Sequence, residues 1–113
     1  MEESLKYKKG DVVVFNFPFS DSNKSKKRPA LVVANTYDEN LILCQITSQK
    51  RPDPDSIKLM DNDFQEGSLK QTSYIRPTII FSMDRKRINY KIGYLNKQKI
   101  AEIEKRFCKI FKR

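Results

Sequence analysis

Arg28, Thr47, Ser48 and Arg76 are the residues of this 113-residue chain best suited to grip a phosphodiester. Arg28 leads into an apolar run in KKRPALVVAN, Thr47-Ser48 closes NLILCQITS, and Arg76 lies inside SYIRPTIIFSMD. A guanidinium presents paired, permanently charged donors that match phosphate oxygens, and a hydroxyl adds one more hydrogen bond. Both arginines precede a proline, which pushes the preceding backbone toward extended conformation, so each is expected on a strand. Blander roles compete for the same residues. An arginine at a strand start commonly makes a surface ion pair, and Thr47 and Ser48 are good turn caps. Arg51-Pro52 repeats the Arg-Pro dipeptide among the acidic neighbours of QKRPDPDS, so the dipeptide alone proves little.

Composition narrows the chemistry. The chain has no histidine, which removes an imidazole base and any His-ligated metal site. Its cysteines, Cys44 and Cys108, lie far apart in apolar surroundings without a C-x-x-C spacing, and read as two reduced, buried thiols. No metal and no cofactor is expected. The net charge of +9 favours a polyanionic partner, either nucleic acid or an acidic protein, against the plainer reading that the lysines solvate the surface.

The elements that must hold these residues read mostly as strands. GDVVVFNFPF is β-branched and aromatic; Ser20 to Lys27 is a polar, flexible loop; Pro29 to Asn35 is apolar on both faces and needs cover on both sides. A small barrel covers one of those faces, so a homodimer is expected to cover the other. Asn40 to Ser48 alternates, with Ile42, Cys44 and Ile46 on one face and Gln45 and Thr47 on the other. Ile57 to Met60 is a short strand, and Phe64 to Lys70 reads as irregular. Gln71 to Met83 is a long strand with Tyr74, Arg76 and Thr78 on one face and Ile75, Pro77, Ile79 and Phe81 on the other. Lys91 to Leu95 is a last strand. From Asn96, a plausible N-cap, the period becomes helical, with Ile100, Ile103, Phe107, Ile110 and Phe111 in one stripe.

Residues 1–9 read as a flexible lead and 10–113 as one domain, mainly β with a C-terminal helix: a small, strongly curved sheet or barrel. The longest apolar run, Ala30 to Ala34, is too short to span a membrane, and MEESLKYKKG lacks the apolar stretch of a secretory signal. The cytoplasm is the expected compartment.

The ordered set GDVVVFNFPFSD, KKRPALVVAN, LILCQITSQ, SYIRPTIIFSMD and a C-terminal amphipathic helix resembles the MazF/PemK family of toxin–antitoxin endoribonucleases, over Gly10 to about Phe111. The resemblance implies an SH3-like barrel of the CcdB/MazF kind, usually a homodimer whose RNA groove crosses the subunit interface. It also implies an antitoxin whose acidic tail covers that groove, and operator DNA bound only through the antitoxin complex.

Carried over by position, Arg28, Thr47 and Arg76 become the catalytic set. Lys26, Lys27, Ser48, Gln49, Tyr74 and Thr78 become RNA-binding residues, and Ser20 to Lys27 a segment that gates RNA. Thr78 stands where several members carry an aspartate. Two-residue alternation puts it on the face of Arg76, but a threonine is no general base near neutral pH. Asp21 is then the remaining, weak candidate for proton acceptor. The implied activity is metal-independent cleavage of single-stranded mRNA by attack of its own 2′-hydroxyl. The alternative is a non-catalytic barrel that holds RNA or poisons a protein target, as the gyrase-inhibiting CcdB toxins do; an adaptor for acidic proteins is a third.

Overall fold

The computed structural model of the chain describes residues 6–17 and 26–113. Seven strands, Asp11–Phe17 (β1), Lys26–Asn35 (β2), Asn40–Thr47 (β3), Ile57–Leu59 (β4), Phe64–Gly67 (β5), Ser73–Asp84 (β6) and Ile88–Leu95 (β7), precede a helix, Lys97–Phe111 (α1). All strand pairs are antiparallel, in the order β4-β6-β3-β2-β1-β7-β5. That order forces curvature. The consecutive strands β4 and β5 stand at opposite ends of the sheet, yet only residues 60–63 join them. Laid flat, seven strands span about 29 Å, whereas so short a connector reaches about 18 Å at most. The sheet therefore curls strongly into a half-barrel.

Alternation along the strands divides the core between the two faces of the sheet. Val12, Leu31, Cys44, Ile46, Ile75 and Leu95 form one cluster, closed by Ile103 of α1 with Ile100 and Phe107 beside it. Val13, Phe15, Ala30, Val32, Leu41 and Leu43 form the other, with Tyr7 and Ile88. The double cover expected for the second strand thus exists within one chain, since Ala30, Leu31 and Val32 are all at most 2% exposed. No partner subunit is needed to cover these three residues, contrary to the expectation from the sequence.

Asn96 does cap α1, its side chain accepting from the Lys99 amide at 2.8 Å. The stripe ends sooner than its period predicts, because Phe111 is 70% exposed. Cys108 is also exposed, on the helix face away from the core, so only Cys44 is a buried thiol.

Phe64 to Lys70 is not irregular throughout. Its first half is β5, and the reason lies in two glycines. Gly67, at φ +85°, pairs with Gly93 of β7 so closely that a Cβ on Gly93 would sit 2.1 Å from the Glu66 carbonyl oxygen. The last strand also starts earlier than read, at Ile88, and β2 takes in Lys26 and Lys27. Arg85, 8% exposed, donates to the Asp38 carbonyl and the Asn35 side chain and so staples the β2–β3 turn. The basic turn it opens is a 3₁₀ turn joining β6 to β7.

Candidate active-site groove

The second core cluster runs out toward one end of the sheet, and polar residues replace apolar ones on the same face. Along β3 that face reads Leu41, Leu43, Gln45, Thr47. Ala30 of β2 pairs with Gln45, so the same register carried two residues further sets Arg28 level with Thr47. On the other side Gln45 pairs with Arg76. Thr47 itself pairs with Tyr74, so Arg76 lies diagonally across from it on β6, two residues further along, while Arg28 approaches from β2.

These residues open onto a groove of about 820 Å³. Its walls include Lys26, Lys27 and Arg28 of β2, Thr47, Ser48 and Gln49 at the end of β3, Arg51, Gln71 and Ser73, and Arg76 of β6. Phe15, Ile80, Phe81 and Met83 continue it to Arg87. The described lining residues include Lys26, Lys27, Arg28, Arg51, Arg76 and Arg87 and no carboxylate, so the groove carries a positive field. Lys27 also lies over the Tyr90 ring, 5.5 Å from its centre.

Two predicted residues lie outside this lining. Tyr74 pairs with Thr47 and shares its face but stays outside the groove, half-buried beside β4. Thr78 departs for a different reason. The β3–β6 register jumps from Gln45↔Arg76 to Cys44↔Ile80, which leaves Pro77, Thr78 and Ile79 without ladder partners. A proline has no N–H to give to the ladder, and the break falls at Pro77. Alternation cannot be carried across such a bulge. Thr78 is exposed there and does not line the groove. Asp21, and the part of the predicted loop from Ser20 to Ser25, lie outside the described residues.

Thr47 performs the turn role as well, its Oγ1 accepting from the Gln49 amide at 3.1 Å. Gln49 in turn accepts from Arg51 Nη2 at 2.9 Å. The Arg-Pro dipeptide discounted in the sequence thus puts a guanidinium on the groove wall after all.

A further group escaped the sequence reading. Asp53, in the loop between β3 and β4, accepts from Arg76 Nε at 3.1 Å, with side chains 10% and 22% exposed respectively. Burial raises the carboxyl's pKa, but the Asp55 amide and the Arg76 guanidinium together outweigh it and hold Asp53 below the ordinary carboxylate value. Pairing with a residue 23 positions away leaves no local pattern, which is why QKRPDPDS looks like an undistinguished loop of mixed charge.

Residues 8–111 match a family profile described as PemK-like, MazF-like toxin of type II toxin–antitoxin systems. The chain belongs to that family. It is a MazF-like toxin of a toxin–antitoxin system. No protein of curated function matches this toxin significantly in sequence. Solved structures match its fold. A mycobacterial endoribonuclease in complex with its cognate antitoxin aligns with TM-score 0.73 at 14% identity, covering 93% of this chain and 94% of the other. Toxin MazF-mt6 of Mycobacterium tuberculosis gives 0.70 at 15%, covering 90% and 96%. A chain of the Deinococcus radiodurans MazE–MazF complex (Form II) gives 0.71 at 20%, covering 93% and 95%. Among the described residues of the toxin no helix is long and apolar enough to cross a membrane.

Proposed function

We propose that this MazF-like toxin is an endoribonuclease that cuts single-stranded RNA in the groove around Thr47. The observation that carries the reading is that Arg28, Thr47 and Arg76, from three adjacent strands, line one groove rich in cations. In this reading the RNA's 2′-hydroxyl attacks the adjacent phosphorus, and the 5′-oxygen of the next nucleotide leaves. The products are a 2′,3′-cyclic phosphate and a 5′-hydroxyl. Arg28 and Arg76 meet the charge that builds on the phosphoryl oxygens, and the Thr47 hydroxyl donates to the same group. Preorganised donors of this kind are each worth about 2.7–4 kcal/mol of barrier. The scheme calls for no metal.

Lys26, Lys27, Ser48 and Gln49 hold the flanking backbone in this reading, and Arg51 and Arg87 extend the track at either end. An antitoxin with an acidic tail is the expected inhibitor, by charge complementarity with that track. Support for such a partner comes from the complexes with antitoxins among the fold's relatives. A homodimer is supported by family membership, and light scattering should then read about twice 13.3 kDa.

The deciding test incubates purified protein with a long unstructured RNA in EDTA. Cleavage to 5′-hydroxyl ends supports the nuclease. RNA that is bound but intact supports the non-catalytic alternative.

A further inference from the structure

We infer that Asp53 is a positioning residue of the groove, fixing Arg76 through Nε so that its two terminal amino groups point at the scissile phosphate. The inference rests on the nuclease reading and adds to it a residue that does not itself line the groove, on the same loop as Arg51.

The geometry supports one function for the carboxylate. Oδ2 accepts from Arg76 Nε at 3.1 Å, and Oδ1 accepts from the Asp55 amide at 3.0 Å. Among the described residues Arg76 makes no other side-chain hydrogen bond, so Nη1 and Nη2 are left for a ligand. An arginine carries considerable rotamer freedom, and holding it by Nε keeps its donors in place as charge builds on the phosphate, so that no ordering cost is added at the transition state. The loop holding Asp53 is itself anchored. Its Asp53 carbonyl accepts from the Ser56 amide at 3.1 Å and from the Ser56 hydroxyl at 3.0 Å. Arg106 of α1 donates to the Asp55 carbonyl at 2.8 Å from the far side. A rigid loop thus aims Asp53, and Asp53 aims Arg76.

The same geometry argues against Asp53 as the proton acceptor. Both of its oxygens are already engaged, and its neighbours hold it ionised. The groups facing it are Arg76 from β6, Arg106 from α1 and Asp55 of its own loop. A base must be free to take a proton at the reacting hydroxyl, within hydrogen-bond reach.

The test compares wild type, Asp53→Asn, Arg76→Ala and the double variant in single-turnover cleavage of the same long unstructured RNA in EDTA. Asparagine keeps the Oδ1 acceptor for the Asp55 amide but turns an N–H toward Arg76 Nε. Asp53→Asn should lower the saturating rate about tenfold or more, with half-saturation moving by less than about threefold. In the Arg76→Ala background it should have no further effect, because its only target is gone. Asp53→Ser, which also keeps a turn-forming oxygen, should repeat the pattern, and thermal melts report whether the loop survives. The rate–pH profile between pH 5 and 8 should drop in height without changing shape.

Three results would overturn the inference: an Asp53→Asn rate equal to wild type, an equal further loss on top of Arg76→Ala, or loss of the profile's acid limb, which would assign proton transfer to Asp53. An inert wild type is a different failure. It would remove the nuclease reading and this role along with it.

Discussion

The Cys44 thiol donates to the Arg76 carbonyl, Sγ to O 3.0 Å, across the break in the β3–β6 ladder. The bulge that displaces Thr78 takes that carbonyl out of the regular register, and a buried thiol supplies a donor beside it. Cys44 therefore belongs to the backbone of the site rather than to its chemistry. Cys44→Ala should leave the carbonyl without this donor and open a small void, costing about 1–3 kcal/mol in urea unfolding.

The same burial makes a pH prediction. It pushes the Cys44 thiol from an ordinary 9.0 up to about 12. The folded state keeps the proton where the unfolded state has lost it, so stability falls as pH rises through that window. The contribution is complete below pH 9.0 and gone above about 12. Cys44→Ala should therefore flatten part of the alkaline decline, read as the difference between the two unfolding curves. Thiol labelling gives a simpler check at pH 8, where burial keeps the Cys44 thiol protonated. The native protein should react at Cys108 alone, and the denatured protein at both cysteines. Two fast native thiols would contradict the buried position of Cys44.

Strand types were legible because β-branched runs and two-residue alternation act locally. Two causes account for the rest: contacts between distant parts of the chain, and a local break of the ladder at Pro77. β5 contains little that favours a strand, and forms because Gly67 and Gly93 let two backbones approach. Thr78 was misplaced because alternation was extended through Pro77, where the ladder breaks. Asp53 and Arg87 reach the groove region only after folding brings their loop and turn to β6 and β1. Arg28, Thr47 and Arg76, by contrast, sit inside strands, where the polar face could be read directly.

The cation track predicts a salt dependence. Log affinity for single-stranded RNA should fall against log salt with a slope of roughly −0.7 for each phosphate neutralised. Arg87→Ala should shallow that slope by about 0.7 and weaken binding similarly across sequences, since its turn lies at the far end from Thr47. A slope unchanged by the substitution would remove Arg87 from the track.

Alanine at Arg28, Thr47 or Arg76 should lower cleavage about tenfold or more with the fold intact, because each lies on the polar end of its strand. Toxicity on expression should fall in step. Three variants that remain toxic and active would show the groove to be misassigned.

Thr78→Asp separates the sequence reading from the structure. Simple alternation sets residue 78 beside Arg76, where an aspartate would supply a base and raise the rate, with the 10²-fold typical of general base catalysis at its lower end. The bulge says otherwise. Thr78 is exposed, lies outside the groove lining, and follows a proline that ends the regular ladder. An aspartate there would be solvated and too far displaced to reach the 2′-hydroxyl. Thr78→Asp should therefore leave the single-turnover rate within about twofold of wild type and change stability by no more than about 0.5 kcal/mol. The carboxylate position near Arg76 is already taken, from another element, by Asp53. A Thr78→Asp rate raised tenfold would mean that the β6 bulge flattens when RNA binds and that alternation is restored in the complex.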